Sequence, residues 1–82
     1  MKLPKKCSPQ SVGLRLKDYY KNHAKFGKQK TLAQSIGISQ GSLSDICSGH
    51  SHPSASTLAR LAMNTDIDLY WLLTGDPDAN RK

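Results

Sequence analysis

Three side chains near the middle of the chain have the chemistry of metal ligands. Cys47, His50 and His52 form a Cys-x2-His-x-His sequence, and zinc prefers thiolate and imidazole ligands. A closed site needs a fourth ligand, which Cys7 or His23 would have to supply from a separate part of the sequence. A polar loop without a metal explains both central histidines more simply, so we expect no metal site and no cofactor.

The acidic side chains do not form a catalytic arrangement. The chain has six aspartates and no glutamate, and the aspartates are scattered or lie at a predicted helix start and in the C-terminal tail. No nucleophile is found beside a base. The sequence therefore predicts a protein that is not an enzyme.

Charge is distributed unevenly along the chain. The net charge is +6, and residues 1–30 hold nine Lys or Arg side chains against a single acid, Asp18. Such a segment attracts a polyanion, because neutralising the anion's charges releases counterions. The same charge would also suit RNA, an anionic membrane surface or a solvated tail, so it does not identify the partner.

Three features favour the cytoplasm. No apolar run approaches the roughly 18 residues of a membrane span, and no apolar segment follows the basic N-terminus as it does in a secretory signal. Cys7 and Cys47 are the only cysteines, and two cysteines do not form the dense framework of a secreted disulfide module. We expect both thiols to be reduced and no contact with a membrane.

The length of 82 residues suits one small domain. Residues 1–7 are basic and contain Pro4, which predicts a flexible arm, and residues 76–82 are predicted to be a flexible tail. The domain itself is predicted at residues 8–75. Because so short a chain buries a modest core, we expect it to pair with a second copy.

Helix signals recur along the predicted domain, and no segment shows the alternation of a strand. Ser8 followed by Pro9 is typical of a helix start, because the hydroxyl can cap the helix and proline suits its first position. The pattern predicts an all-α domain of five short helices. They cover roughly 8–27, 28–36, 40–48, 54–64 and a last segment that starts at Asp66 or Asp68 and ends at Gly75.

Four residues have the types and spacing of two helices that cross over a very short turn. The crossing requires a small residue on the first helix, which Ala33 supplies, and a turn residue that tolerates positive φ, which Gly37 supplies. Leu43 and Ile46 are the apolar residues that would pack the second helix against the first. Together they predict a helix-turn-helix over residues 29–48.

Two segments resemble a known family. Thr31–Ile46 (TLAQSIGISQGSLSDI) resembles the helix-turn-helix of the lambdoid phage repressor and Cro family, and Ile67–Gly75 (IDLYWLLTG) resembles the fifth helix of phage CI-type repressor domains. The resemblance extends roughly over Val12–Gly75. It implies a five-helix, lambda-repressor-like DNA-binding domain that acts as a homodimer on an operator.

The resemblance also implies which residues face the DNA bases. In this family the second helix of the motif lies in the major groove, which places Gln40, Gly41, Ser44 and Asp45 at the base edges. Gln40 could pair with an adenine, and Asp45 could accept a hydrogen bond from a cytosine or adenine amino group. Gly41 is a departure, because this position often carries a side chain that contacts a base.

Contacts to the DNA phosphates are expected around both ends of the motif. Gln29 begins the first helix of the motif, where its backbone N–H and its side chain would both point at a phosphate oxygen. Ser39 could contact phosphate or could cap the second helix. The remaining phosphate candidates are Lys28, Ser42, Ser48 and His50.

The function that the resemblance implies is a transcriptional regulator, a phage or prophage repressor that binds a palindromic double-stranded operator as a homodimer. The predicted dimer surface is the last helix, through Leu69, Trp71, Leu72 and Leu73.

Two alternatives remain open. One is the antitoxin of a toxin–antitoxin pair, which represses its own operon and binds a toxin protein; an antirepressor protein is a further possible partner. The other is a helical protein-interaction module with no role on DNA.

Overall fold

Five α-helices form most of the computed structural model, which describes residues 3–77. A 3-10 turn, Lys5–Cys7, precedes them, and no strand occurs in this part of the chain. The all-α, five-helix prediction is therefore confirmed. The helices are α1 (Pro9–Asn22), α2 (Gln29–Ile36), α3 (Gln40–Cys47), α4 (Ala55–Asn64) and α5 (Leu69–Thr74).

Side chains cap the starts of most helices, as their sequence signals predict. Ser8, Ser39 and Ser54 each accept a hydrogen bond from the backbone N–H three residues later. Asp68 caps α5 in the same way, which settles the choice between the two aspartates. Such caps satisfy N–H groups that have no partner inside the helix.

The first helix ends earlier than the sequence indicated. It stops at Asn22, and His23 is already extended at φ −88° and ψ 127°. The chain then turns back, so that the Gly27 N–H donates to the Tyr20 carbonyl oxygen at 2.8 Å. The prediction that this helix continues to Gly27 was wrong, because a turn closed by this hydrogen bond replaces the last helical residues.

The core lies between the helices and draws on all five of them. α1 packs against α3 and α5, and α2 packs against α3 and α4. Burying these apolar side chains provides the main driving force for folding. The largest fully buried side chains are Val12, Leu16, Leu32, Ile36, Leu43, Leu61 and Leu72.

The N-terminal turn is attached to the helices by Arg15 of α1. Its Nε donates to the Leu72 carbonyl oxygen at 2.8 Å, and its Nη2 donates to the Lys6 carbonyl oxygen. Lys6 also forms an ion pair with Asp76, with Nζ and Oδ2 2.5 Å apart. Residues 5–7 of the predicted flexible arm therefore adopt a regular turn. Residues 1 and 2, and residues 78–82 of the predicted tail, lie outside the described part of the chain.

None of the helices within residues 3–77 has the length and apolar character needed to cross a membrane.

Candidate nucleic-acid interface

The turn between α2 and α3 has the geometry that its sequence predicts. Gly37 adopts the left-handed conformation, with φ 75° and ψ 31°, which a residue with a Cβ rarely adopts. The N–H groups of Gly37 and Ile38 both donate to the Ala33 carbonyl oxygen, at 2.9 and 3.1 Å. Ala33, Leu43 and Ile46 are buried between the two helices. The packing therefore holds α2 and α3 as one unit.

Arg60 of α4 stabilises the same turn, a role that the sequence did not reveal. Its Nη1 donates to the Ile36 carbonyl oxygen at 3.2 Å, at the C-terminal end of α2. The same atom would lie 2.9 Å from a Cβ at Gly37. Because Arg60 lies 24 residues from Ile36, no local pattern could have indicated the pairing.

Gly13 of α1 sets how closely α1 approaches the end of α3. A Cβ at this position would lie 2.4 Å from the Ile46 carbonyl oxygen and 2.8 Å from that of Cys47. Real Cβ atoms do not approach so closely, so the two backbones are in direct contact here. The sequence signal was present, as a glycine inside a helical segment, but it was not recognised as a packing site.

The four predicted base-contacting residues lie together on the outer face of α3. Positions i, i+1, i+4 and i+5 of a helix share one side. Gln40, Gly41 and Asp45 are exposed, and Ser44 is half-buried. The structure therefore presents a polar surface with no protein element covering it within the described residues.

His50 lies beside Asp45 at the far end of this surface. The Asp45 carboxylate and the His50 imidazole are 3.9 Å apart, and both side chains are largely exposed. A protonated His50 would offset the charge of an anion that otherwise faces a polyanion. The structure thus brings one predicted phosphate contact next to one predicted base contact.

Ser39 and Ser42 differ in what they can still offer a ligand. Ser39 Oγ accepts from the Ser42 N–H at 3.1 Å and donates its own proton to Ser42 Oγ at 2.9 Å. Its hydroxyl is therefore used as the helix cap, which was one of the two predicted roles. Since the Ser42 hydroxyl accepts this bond, its proton remains available to an outside acceptor.

The N-terminus of α2 differs from the other helix starts in residues 3–77. Its N-cap is Lys28, and no side chain caps the first turn. The N–H groups there therefore lack the internal acceptor that the other helices have, and the helix dipole adds partial positive charge. An anion is the complementary ligand for such a terminus.

The side chain of Gln29 is partly covered by neighbouring helices. It is half-buried and lies close enough to Tyr20 of α1 and Cys47 of α3 to influence the pKa of both groups. Burial raises the pKa of the Cys47 thiol, and the nearby Gln29 amide opposes that shift. Gln29 therefore lies where α1, α2 and α3 meet, a position that its sequence pattern did not indicate.

The other phosphate candidates are on the surface. Lys28, Ser48 and His50 are all exposed. Lys17 of α1 also lies near the end of α3, close enough for its charge to lower the pKa of the Cys47 thiol. Lys17 was not among the predicted contacts, because its position beside α3 depends on how α1 packs.

The structure corrects the predicted dimer surface at one residue. Leu72 is fully buried in the core of the single chain, so it cannot contact a partner, and that assignment was wrong. Leu69, Trp71 and Leu73 are partly buried and pack against the same core. The side chain that α5 exposes most is Tyr70, at 50%, which the sequence analysis did not select.

The cysteine and histidine cluster does not come together in the described residues. Cys47 is buried and Cys7 is half-buried, and neither forms a disulfide. His52 Nε2 donates to the Cys7 carbonyl oxygen at 2.7 Å. No group of three or more ligand side chains within residues 3–77 could hold a metal ion.

Two helices joined by a tight glycine turn, with the second helix exposed, define a helix-turn-helix domain of the kind that binds DNA. A family model described as Helix-turn-helix matches residues 27–72, more than half of the chain. The chain belongs to this family of Cro and CI type, and it is a DNA-binding transcription regulator. The comparisons found no matching curated protein and no matching solved structure.

Proposed function

We propose that this chain is a repressor that binds a palindromic operator in double-stranded DNA as a homodimer, with α3 in the major groove. The observation that carries the proposal is the pairing of an exposed polar face on α3 with an uncapped N-terminus on α2. The first supplies groups for base edges, and the second supplies N–H donors for a phosphate. Both belong to one rigid unit, so a single docking geometry can use them together.

Within this proposal each predicted contact has a defined task. Gln40 and Asp45 contact base edges, and Ser44 lies between the helix core and the groove. The backbone N–H of Gln29 binds a phosphate, because no side chain caps the first turn of α2. Further phosphate contacts come from Lys28, Ser42, Ser48 and His50, while Ser39 acts as a cap.

The homodimer forms through α5, with Tyr70 joining Leu69, Trp71 and Leu73 in the interface. Two-fold symmetry would place the two α3 helices about 34 Å apart, one turn of DNA. The resemblance of Ile67–Gly75 to CI-type repressor domains favours a phage or prophage origin. Such a regulator would act in the cytoplasm of a bacterial host, at the nucleoid.

Selection of bound duplexes from a random DNA pool, followed by binding titrations at two salt concentrations, tests the proposal. We expect an enriched inverted repeat with half-sites one helical turn apart, and an affinity that falls steeply with salt yet keeps its sequence preference. A pool that yields no enriched sequence, or a single half-site bound by a monomer, would contradict it.

A further inference from the structure

Gly41 is a glycine that the fold does not require. Apart from its two chain neighbours and the backbone of its own helix, no protein atom lies within 4 Å of the position that its Cβ would occupy. Its backbone is also ordinary, since the positive-φ glycines of the described chain are Gly27, Gly37, Gly49 and Gly75. An alanine at position 41 would therefore fit without strain and would favour the helix, because glycine is a poor helix former. The opposite holds for Gly13, where a Cβ would collide with backbone atoms.

The missing side chain lies on the surface proposed to face DNA. Gly41 is exposed in the first turn of α3, and the interaction between Ser39 and Ser42 holds that turn in place. Helical spacing puts the side chains of Gln40, Ser44 and Asp45 around it. The result is a notch, one side chain deep, whose floor is bare backbone.

The major groove offers one apolar group that such a notch can receive. Apart from the C–H groups of cytosine and the purines, which project little, the bases present hydrogen-bond donors and acceptors there, whereas thymine presents a projecting C5-methyl group. A polar edge pressed against bare Cα would lose its water without gaining a partner. A methyl group has no hydrogen bond to water that it could lose, and its removal from water is favourable.

We propose that Gly41 determines specificity by shape, and that its bare backbone receives the C5-methyl group of a thymine beside the base that Gln40 contacts. A Cβ at this position would occupy the space of the methyl group and push α3 out of the groove. The inference rests on the proposed operator binding, and it explains why a residue unfavourable for the helix occupies an exposed helical position.

The test uses the full chain, the operator selected from the random pool, and the variant G41A. We expect G41A to melt at a higher temperature than the wild type and to bind the operator about tenfold more weakly, in the range of one mismatched base pair. Its binding to an unrelated duplex should be unchanged. The two results together exclude loss of folding as the cause.

Operators in which single thymines are replaced by uracil isolate the methyl group. At one position per half-site, uracil should weaken wild-type binding roughly fourfold, the effect of one buried methyl group, and should leave G41A unaffected. Equal affinity of G41A and wild type for the operator, or uracil effects that are the same in both proteins, would overturn the inference. Those outcomes leave the proposed function intact, whereas a wild-type chain that selects no operator would defeat both.

Discussion

On the exposed face of α3, Gln40 is the side chain best suited to distinguish bases. Its amide has both a donor and an acceptor, so it can form two hydrogen bonds with an adenine edge. Ser44 is half-buried, and Asp45 has only acceptors and lies 3.9 Å from His50. At the scale of single residues, the proposed complex therefore derives its sequence preference mainly from Gln40 and from the space beside it.

Replacing Gln40 with alanine should weaken operator binding by about 1–3 kcal/mol, the discrimination that one bidentate base contact provides. Binding to unrelated DNA should change little, because phosphate contacts dominate it. Fluorescence anisotropy with both duplexes measures the two affinities. Gln34 is an exposed glutamine on α2, so Q34A is the matched control and should bind like the wild type. Equal losses on both duplexes would show that Gln40 does not contact a base.

At the scale of the helices, contacts from outside the motif hold α2 and α3 in position. The α1 backbone touches the end of α3 at Gly13, and Arg60 of α4 donates to the Ile36 carbonyl oxygen. The half-buried Gln29 side chain of α2 lies near Tyr20 of α1 and Cys47 of α3. The orientation of α3 is thus a property of the whole domain, although the proposed contacts with DNA come from a short segment.

Substitution of Gly13 by alanine should destabilise the protein by about 1–3 kcal/mol, the usual cost of an overpacked core. The reason is steric, since the new Cβ would lie 2.4 Å from the Ile46 carbonyl oxygen. Urea denaturation followed by circular dichroism measures the free energy of unfolding. The same substitution at Gly41 serves as the control and should increase that free energy slightly, because alanine is the better helix former. Stabilisation by G13A would contradict the close helix contact.

Asp66 connects the loop before α5 to α1 and should make stability depend on pH. A hydrogen bond from Tyr19 holds the pKa of the Asp66 carboxyl below its usual value of 3.8, and the nearby His23 acts in the same direction. A carboxyl with a lowered pKa in the folded state stabilises the protein above its unfolded pKa. That contribution is lost as the pH falls through the lower, folded value.

Thermal melts of wild type and D66N from neutral pH down to about pH 2 test the direction of this pH dependence. The wild type should be the more stable protein at neutral pH, and its advantage should shrink in acid. The variant Y19F removes the donor and should reduce the pH dependence while leaving the carboxyl in place. An advantage for the wild type that grows as the pH falls would contradict the assignment.

At the scale of the whole molecule, the chain has one large exposed aromatic on its last helix and a basic N-terminal half. Tyr70 is 50% exposed and lies near Lys6, whose pKa is raised mainly by its hydrogen bond with Asp76. In the proposed dimer Tyr70 is covered by the second copy, which would leave the α2–α3 units free to face DNA.

The variant Y70D should shift the protein from dimer to monomer and weaken operator binding, because a dimer gains from engaging both half-sites at once. Analytical ultracentrifugation over a range of concentrations measures the shift, and circular dichroism checks that the fold is retained. Met63 at the end of α4 is 82% exposed, so M63D is the control and should still dimerise. An unchanged dimer in Y70D would place the interface elsewhere.

The five helices, the αL turn at Gly37 and the shared face of α3 were all predictable from the sequence, because each depends on interactions within a few residues. Caps such as Ser39 bond to the third residue along the chain, and helical periodicity alone puts Gln40 and Asp45 on one side. The packing of Gly13 on α3, the bond from Arg60 and the burial of Leu72 were decided by the tertiary structure. These contacts join segments that lie far apart in the sequence. Which face of a short helix becomes buried depends on the helices that pack against it.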